Sequence, residues 1–417
     1  MTKAHQPKVK YLVPSPHGYA RFDDCMCQAP VRLTRCEAVP AHGPILSYGQ
    51  YFQGITDVIS RDDYRLLVNA TARQLARDIS VADIKEILIY AEKHGSDYHP
   101  ARIEVMVGEV CAPFVMNVAV TERGKAWLCR EFEVLQHLNR KHDFPFLPQT
   151  YFQGEASYNI GGGGETDIAM LMFLADWFQG YHEFHLSNNK EDGSLRLVLW
   201  DVEKGHRRLF LPQVRQIYSQ AAMILTLYYD LETFEQIFPW HHAAGDFVVK
   251  AQEGSLDVRL VTARQYAPML EPSEGEAVHE ALLFFLLNLS VRMRLDRLDG
   301  VGAVTWADDE CVDATLEGFW EGLRIKERQG VIEMGFVDGF AQHVRSLAKE
   351  DLSDRFHALI DACDQSAPDI PMIRRHLERH TSKFHAALQA MRGSSFFYHK
   401  GIKASMQSSF FVGEGSD

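Results

Sequence analysis

The chain has 417 residues, 46% hydrophobic and 24% charged, the make-up of a globular protein long enough to bury more than one core. Its 43 Lys and Arg against 56 Asp and Glu leave a formal net charge of −13, which argues against nucleic acid or an anionic membrane as partner, because both are held by clustered positive charge. The longest apolar run, Ala281 to Leu289, is about half of the roughly 20 residues a membrane helix needs, and no secretory signal is visible.

The cysteines (Cys25, Cys27, Cys36, Cys111, Cys129, Cys311 and Cys363) are odd in number and scattered, so reduced thiols in a cytoplasmic protein are expected. In chain order, residues 1–60 are rich in Pro, Gly and His and read as an irregular extension that wraps a domain or stays mobile. Asp62 to Arg77 is predicted helical from Tyr64, Leu67, Val68, Leu75 and Ala76. Ile87–Tyr90, Arg102–Val107 and Phe114–Val120 read as short strands, and Lys125–Arg140 as an amphipathic helix with Leu128, Phe132, Leu135 and Leu138 on one face. A glycine run, Gly161 to Gly164, is predicted to be a flexible loop, since no Gly-Lys-Ser/Thr follows it.

A strand is expected at Ile168–Leu174, then an aromatic stretch from Asp176 to Phe184. A long apolar helix is expected over Pro212–Phe238, a hairpin from Phe247–Lys250 and Leu256–Val261, a helix over Glu276–Arg297, and at least three more helices between Asp313 and Arg392. The last twenty-five residues read as a tail. Tyr-Phe-Gln-Gly occurs at 51–54 and again at 151–154 without matching surroundings, and is taken as a chance echo. Strands ahead of helices predict an α+β chain: an N-terminal segment over 1–80, a sheet lobe over 81–180, a helical lobe over 181–370 and a basic helical segment and tail over 371–417.

This order resembles the protein-kinase-like fold, in particular its aminoglycoside and choline kinase branch, over about half of the chain, from Ile84 to Arg297. The resemblance implies two lobes, a small antiparallel sheet and a larger helical lobe, with ATP or another nucleotide and magnesium in the cleft. It puts the glycine-containing loop at Ala91 to Asp97, with Gly95, the phosphate-binding lysine position at Asn117, its helix glutamate at Glu131, and the hinge at Asp176. Registered on Gly245, the loop Pro239 to Val249 gives His241 the catalytic aspartate's position and Asp246 that of the metal-binding asparagine. Thr262 falls where the second metal-binding aspartate stands.

Phosphoryl transfer rests on positioning and charge neutralisation. Asn117 is uncharged, Thr262 is a poor magnesium ligand, and losing one such stabiliser costs about 2–4 kcal/mol in the barrier. The expectation is therefore a catalytically degraded, pseudokinase-like protein that binds a small ligand or a protein partner. The alternative is an atypical small-molecule phosphotransferase with His241 and His242 as acid/base groups and Asp246 on the metal. Asp246 bonded to the loop backbone is the structural alternative for that cluster. Glu131, without its lysine, is expected on the helix surface, or paired with Lys93 or Arg102. Cys25-x-Cys27 with Cys36 and His17 or His42 is a weak zinc pattern, free thiols being favoured. Arg374 to Lys403 forms a basic segment expected to fold back on the acidic surface.

Overall fold

The computed structural model describes residues 6–15, 18–31, 46–92, 98–159, 167–189, 192–201, 205–241, 245–252, 255–269 and 278–391. The chain divides into two compact units, Met1–Lys141 with Pro148–Gln179, and His142–Leu147 with Gly180–Asp417. The architecture is α+β. Among the described residues no helix is long and apolar enough to cross a membrane.

The first unit is built on a seven-stranded sheet. Its strands are β1 (Lys8–Ser15), β2 (Gly18–Arg21), β3 (Ile84–Ala91), β4 (Ala101–Val107), β5 (Val110–Ala119), β6 (Thr150–Asn159) and β7 (Asp167–Asp176), in the order β2-β1-β3-β4-β5-β7-β6. β3, β4 and β5 form an antiparallel meander, and β7 returns beside β5 with β6 outside it. The sheet is mixed rather than antiparallel throughout, because β1 runs parallel to β3, with Lys8 opposite Glu86 and Leu12 opposite Tyr90.

Residues 1–60 are not an irregular extension where they are described. β1 carries a period-two pattern in which Val9, Tyr11 and Val13 face the core, and α1 (Tyr48–Ile59) buries Tyr51, Phe52, Ile55 and Val58 at helical spacing. Ser47 caps α1 through a reciprocal box with Gln50. α2 (Arg61–Leu75) follows through left-handed backbone at Asp62, Asp63 and Tyr64 (φ 51°, 55° and 62°), a sharp redirection that helical periodicity does not reveal.

α1 and α2 share one core with every second residue of the strands, among them Ile87, Ile103, Phe114, Met116 and Met172. Phe173, on the opposite face, meets Phe132 of α3 (Glu122–Lys141) with ring centroids 5.6 Å apart. Helices therefore cover both faces of the sheet. α1 can lie close on β6 and β7 because both surfaces carry a glycine there: a Cβ on Gly54 would stand 2.1 Å from Met170 Cε, and one on Gly154 would stand 2.4 Å from Val58 Cγ1. These are the glycines of the two Tyr-Phe-Gln-Gly copies, one helical and one extended.

The second unit opens with a small sheet of β8 (Phe184–Asn188), β9 (Leu195–Leu199) and β10 (Arg207–Arg208), then α4 (Leu211–Leu227). The apolar pattern predicts α4 as far as Phe238, but Asp230 stops it: its carboxylate accepts from the N–H groups of Glu232 and Thr233, both at 2.8 Å. The chain then forms β11 (Glu235–Ile237). The predicted hairpin is β12 (Phe247–Gln252) and β13 (Ser255–Leu260), after which β14 (Tyr266–Pro268) pairs antiparallel with β11.

α5 (Val278–Arg292) ends five residues before its predicted end and gives way to the pair β15 (Leu295–Arg297) and β16 (Val304–Trp306). α6 (Glu310–Arg328), α7 (Phe336–Ser346), α8 (Lys349–Asp361) and α9 (Ile370–Ala390) complete the unit. α6 lies on α4 at backbone distance, since a Cβ on Gly318 would stand 1.9 Å from the Ser219 carbonyl oxygen. The segment His142–Leu147, between α3 and β6, belongs to this unit: Leu260 N–H donates to the Phe146 carbonyl at 3.0 Å, and His142 meets the Tyr228 ring edge-on.

Gly161 to Gly164, Cys36, His17, His42 and the predicted tail lie outside the described residues.

Candidate functional site

The loop between β11 and β12 is tied at both ends. The β11–β14 pairing and a bond from Phe238 N–H to the Gln265 carbonyl (3.1 Å) close its base, and Val261 N–H donates to the Asp246 carbonyl at 2.8 Å. Trp240, 5% exposed, meets Phe247 edge-on at 5.9 Å and anchors the middle. Loop and hairpin together form a small closed frame on which His241, Asp246 and Thr262 are carried.

Asp246 is buried, and its carboxylate is already spoken for. Arg264 donates from Nη1 to Oδ2 (2.8 Å) and from Nη2 to Oδ1 (2.7 Å), and the backbone N–H of His241 donates to Oδ2 at 2.7 Å. Two parallel charge-assisted bonds of this kind are among the strongest a carboxylate makes. The alternative in which Asp246 organises the loop backbone is thus the one the geometry displays. His241 and Asp246 are in contact through that N–H; Thr262 is buried next to Val261. His242 lies outside the described residues.

Burial pushes the His241 imidazole below its usual value, against the pull of Asp369, Asp296 and Asp246, so the ring is neutral at pH 7. A neutral imidazole can accept a proton, but a divalent cation fits poorly beside it. Both oxygens of Asp246 are engaged by a guanidinium whose charge repels a metal, and Thr262 brings no carboxylate. Among the described residues no group of three or more His, Cys, Asp or Glu could hold a metal ion.

The other predicted positions lie in the first unit. Asn117 is half-buried on β5 opposite Phe173, on the face that α3 covers, and its side chain makes no hydrogen bond with another described residue. Glu131 is not on the helix surface. It is 1% exposed on α3, in the row with Leu128 and Leu135, because the face that covers the sheet is wider than the leucine stripe. Arg102 is not its partner: the guanidinium is held by Glu92 (2.9 Å) and Glu104 and lies 3.8 Å from the Tyr90 ring centroid. Lys93 and Gly95 lie outside the described residues.

Asp176 is a clasp and has no free carboxylate to offer a ligand. It accepts from the Tyr151 hydroxyl (2.6 Å), Gln149 N–H (3.0 Å) and Gln74 Nε2 (3.1 Å), joining β6, β7 and α2. The structure thus groups Asn117, Glu131 and Asp176 around one sheet and His241, Asp246 and Thr262 around one hairpin.

Sequence reasoning missed Arg264. A cation two residues beyond the position of an expected metal-binding aspartate was the available signal, since a lone arginine there matches the charge a nearby carboxylate would otherwise give to a metal. It also missed His185, buried between Glu183 (3.2 Å) and Asp296 (3.7 Å). Burial alone would lower that imidazole, but the two carboxylates outweigh it and raise it.

No family model matches the chain, and no curated protein matches it.

Proposed function

We propose that the chain is a protein-kinase-like protein that has lost conventional phosphoryl transfer and acts by binding a ligand or a partner. The order of elements supports the kinase-like part of this reading. A three-stranded meander is followed by a helix and a strand pair in which β7, the strand leading to the hinge position, lies against β5, which bears Asn117. A helix, a short strand, a loop and a tight hairpin then follow in the second unit.

The observation that carries the loss of transfer is the Arg264 fork on Asp246. Where a kinase needs a ligating oxygen free for magnesium, this chain holds a guanidinium on both oxygens of Asp246; at Asn117 it has no cation for the phosphates, and Thr262 brings no carboxylate. Three electrostatic contributions are then missing or reversed in sign.

The test is a thermal-shift titration with ATP and ADP, with and without magnesium or manganese, beside an assay of ATP turnover. The reading expects no magnesium-dependent turnover and no metal-dependent shift in the wild type. In Arg264→Ala, which frees the carboxylate, a manganese-dependent rise in melting temperature is expected. Magnesium-dependent turnover in the wild type, abolished by Asp246→Ala with the fold intact, would overturn the proposal. It would instead establish the atypical transferase with His241 as base.

A further inference from the structure

A cavity of about 480 Å³ opens in the helical unit where the end of α4, β11, α5 and α8 meet. That volume is within the range of about 300–1,000 Å³ that suits a small organic ligand. Its wall is aromatic, with Tyr229 stacked on Phe285 (centroids 4.3 Å apart, 27° between planes) and Phe238 and Phe284 beside them. Ala358, on the exposed side of α8, keeps the mouth open.

Two largely buried residues in this wall have polar groups that make no hydrogen bond with another described residue. Gln236 is 5% exposed, yet its carboxamide has no hydrogen bond to another described residue. Tyr229 is 1% exposed, and its hydroxyl has none either. Neither the amide nor the hydroxyl is sealed off, so both remain open to a new partner. A ligand group that both donates and accepts would satisfy them.

Charge decides the ligand's class. Among the described wall residues the one cation, Arg292, is matched by Asp369 at 3.5 Å, lies 3.6 Å from Cys363 Sγ, and stands over the Phe238 ring at 5.6 Å. The one acid among them, Asp364, is exposed and accepts from Ser366 N–H (2.9 Å) and Oγ (2.7 Å). Among the described wall residues the cation is ion-paired and the exposed carboxylate is screened by water, so neither repays the desolvation of an ion.

We infer that the cavity binds an uncharged aromatic molecule bearing an amide-like group, with the ring on the Tyr229–Phe285 wall and the amide on Gln236. This goes beyond the kinase-like reading and does not rest on it, since every described wall residue belongs to the second unit.

The experiment uses N-phenyl-1-naphthylamine, whose fluorescence rises on apolar binding, as the reporter on the full chain. 2-Naphthamide and 2-naphthoate, which share a ring system and differ in charge, serve as competitors at pH 7. Saturable one-to-one binding of the reporter is expected, with the amide displacing it at concentrations at least tenfold below the carboxylate. Ala358→Trp, at an exposed helical position, fills the mouth and should weaken the reporter at least tenfold. Gln236→Leu should keep the reporter and weaken the amide by about tenfold. Absence of saturable binding, equal displacement by amide and carboxylate, or indifference to both substitutions in folded protein each overturns the assignment.

Discussion

Arg264 and Asp246 are joined by two bonds, 2.8 and 2.7 Å, with the carboxylate 1% exposed and the arginine side chain 31% exposed. The pair links the loop before β12 to the segment after β13, so the hairpin is closed by side chains at its open end. Removing the cation alone leaves a buried carboxylate with one backbone donor. Arg264→Ala should therefore cost about 3–5 kcal/mol, and Arg264→Lys should recover only part of it, because an ammonium cannot make both bonds at once. Urea denaturation of the two variants and of the Asp246→Asn, Arg264→Ala double variant measures this. The double variant should be more stable than Arg264→Ala alone.

Acid should destabilise the helical unit through His380. The imidazole is fully buried in α9, with Nε2 3.1 Å from Ser290 Oγ; burial and then the Arg294 charge hold it down at about 3. An unfolded histidine titrates near 6.5, so below about pH 6 the unfolded chain takes up a proton that the folded chain refuses. Stability from this group is thus complete above about pH 6.5 and falls by about 1.4 kcal/mol per pH unit as pH drops toward 3. Urea midpoints measured from about pH 7 to about pH 4.5 should show a shallower acid slope for His380→Gln. His185 has the opposite sign, since its folded value is raised. Its contribution is complete below about pH 6.5 and is lost as pH rises through the folded value, so His185→Gln should be most harmful on the acid side.

Close backbone approach makes a separate prediction in the α4–α6 pair. A Cβ at Gly318 meets the Ser219 carbonyl oxygen at 1.9 Å, which no side-chain rotation can relieve. Gly318→Ala should destabilise by about 3 kcal/mol. Gly339, within α7, faces nothing within 4 Å, and Gly339→Ala should stabilise by about 0.5–1 kcal/mol through helix propensity. Thermal melts of the two variants should move in opposite directions.

The thiols should label unequally. Cys311 is fully buried on α6, donates to the Met293 carbonyl at 3.3 Å, and is pushed by burial up to about 12. Cys25 is exposed. Iodoacetamide at pH 8 followed by mass spectrometry should modify Cys25 in the folded protein and leave Cys311 untouched until denaturant is added, because the thiolate is the nucleophile.

Legibility in the sequence followed periodicity. Alternation identifies β4 and the β12–β13 hairpin to within about two residues, and the leucine stripe identifies α3. Tyr-Phe-Gln-Gly shows the limit of local reading, since the same four residues are helix in α1 and strand in β6. Long-range packing decides between the two states when local propensity is balanced. Short strands such as β8, β14 and β16 escape for a related reason: three to five residues are too few to establish a period. The loop's chemistry was half legible. Asp246 stands out by its neighbours, whereas its fate depends on Arg264, eighteen residues away along the chain. Only the folded hairpin brings the two together.

The parallel pairing of β1 with β3 has a consequence for how the chain is made. Synthesis runs from the N-terminus, so β1 leaves the ribosome before the rest of this sheet, yet its parallel partner begins only at Ile84. A parallel neighbour cannot be reached by a tight turn; the intervening chain holds α1 and α2, whose apolar faces themselves need the sheet. Until β3, β4 and β5 have emerged and paired, the first strand and both helices carry exposed apolar surface, and that is the interval in which a nascent chain aggregates or recruits a chaperone. The earliest-made part of the first unit is therefore among the last to find its place.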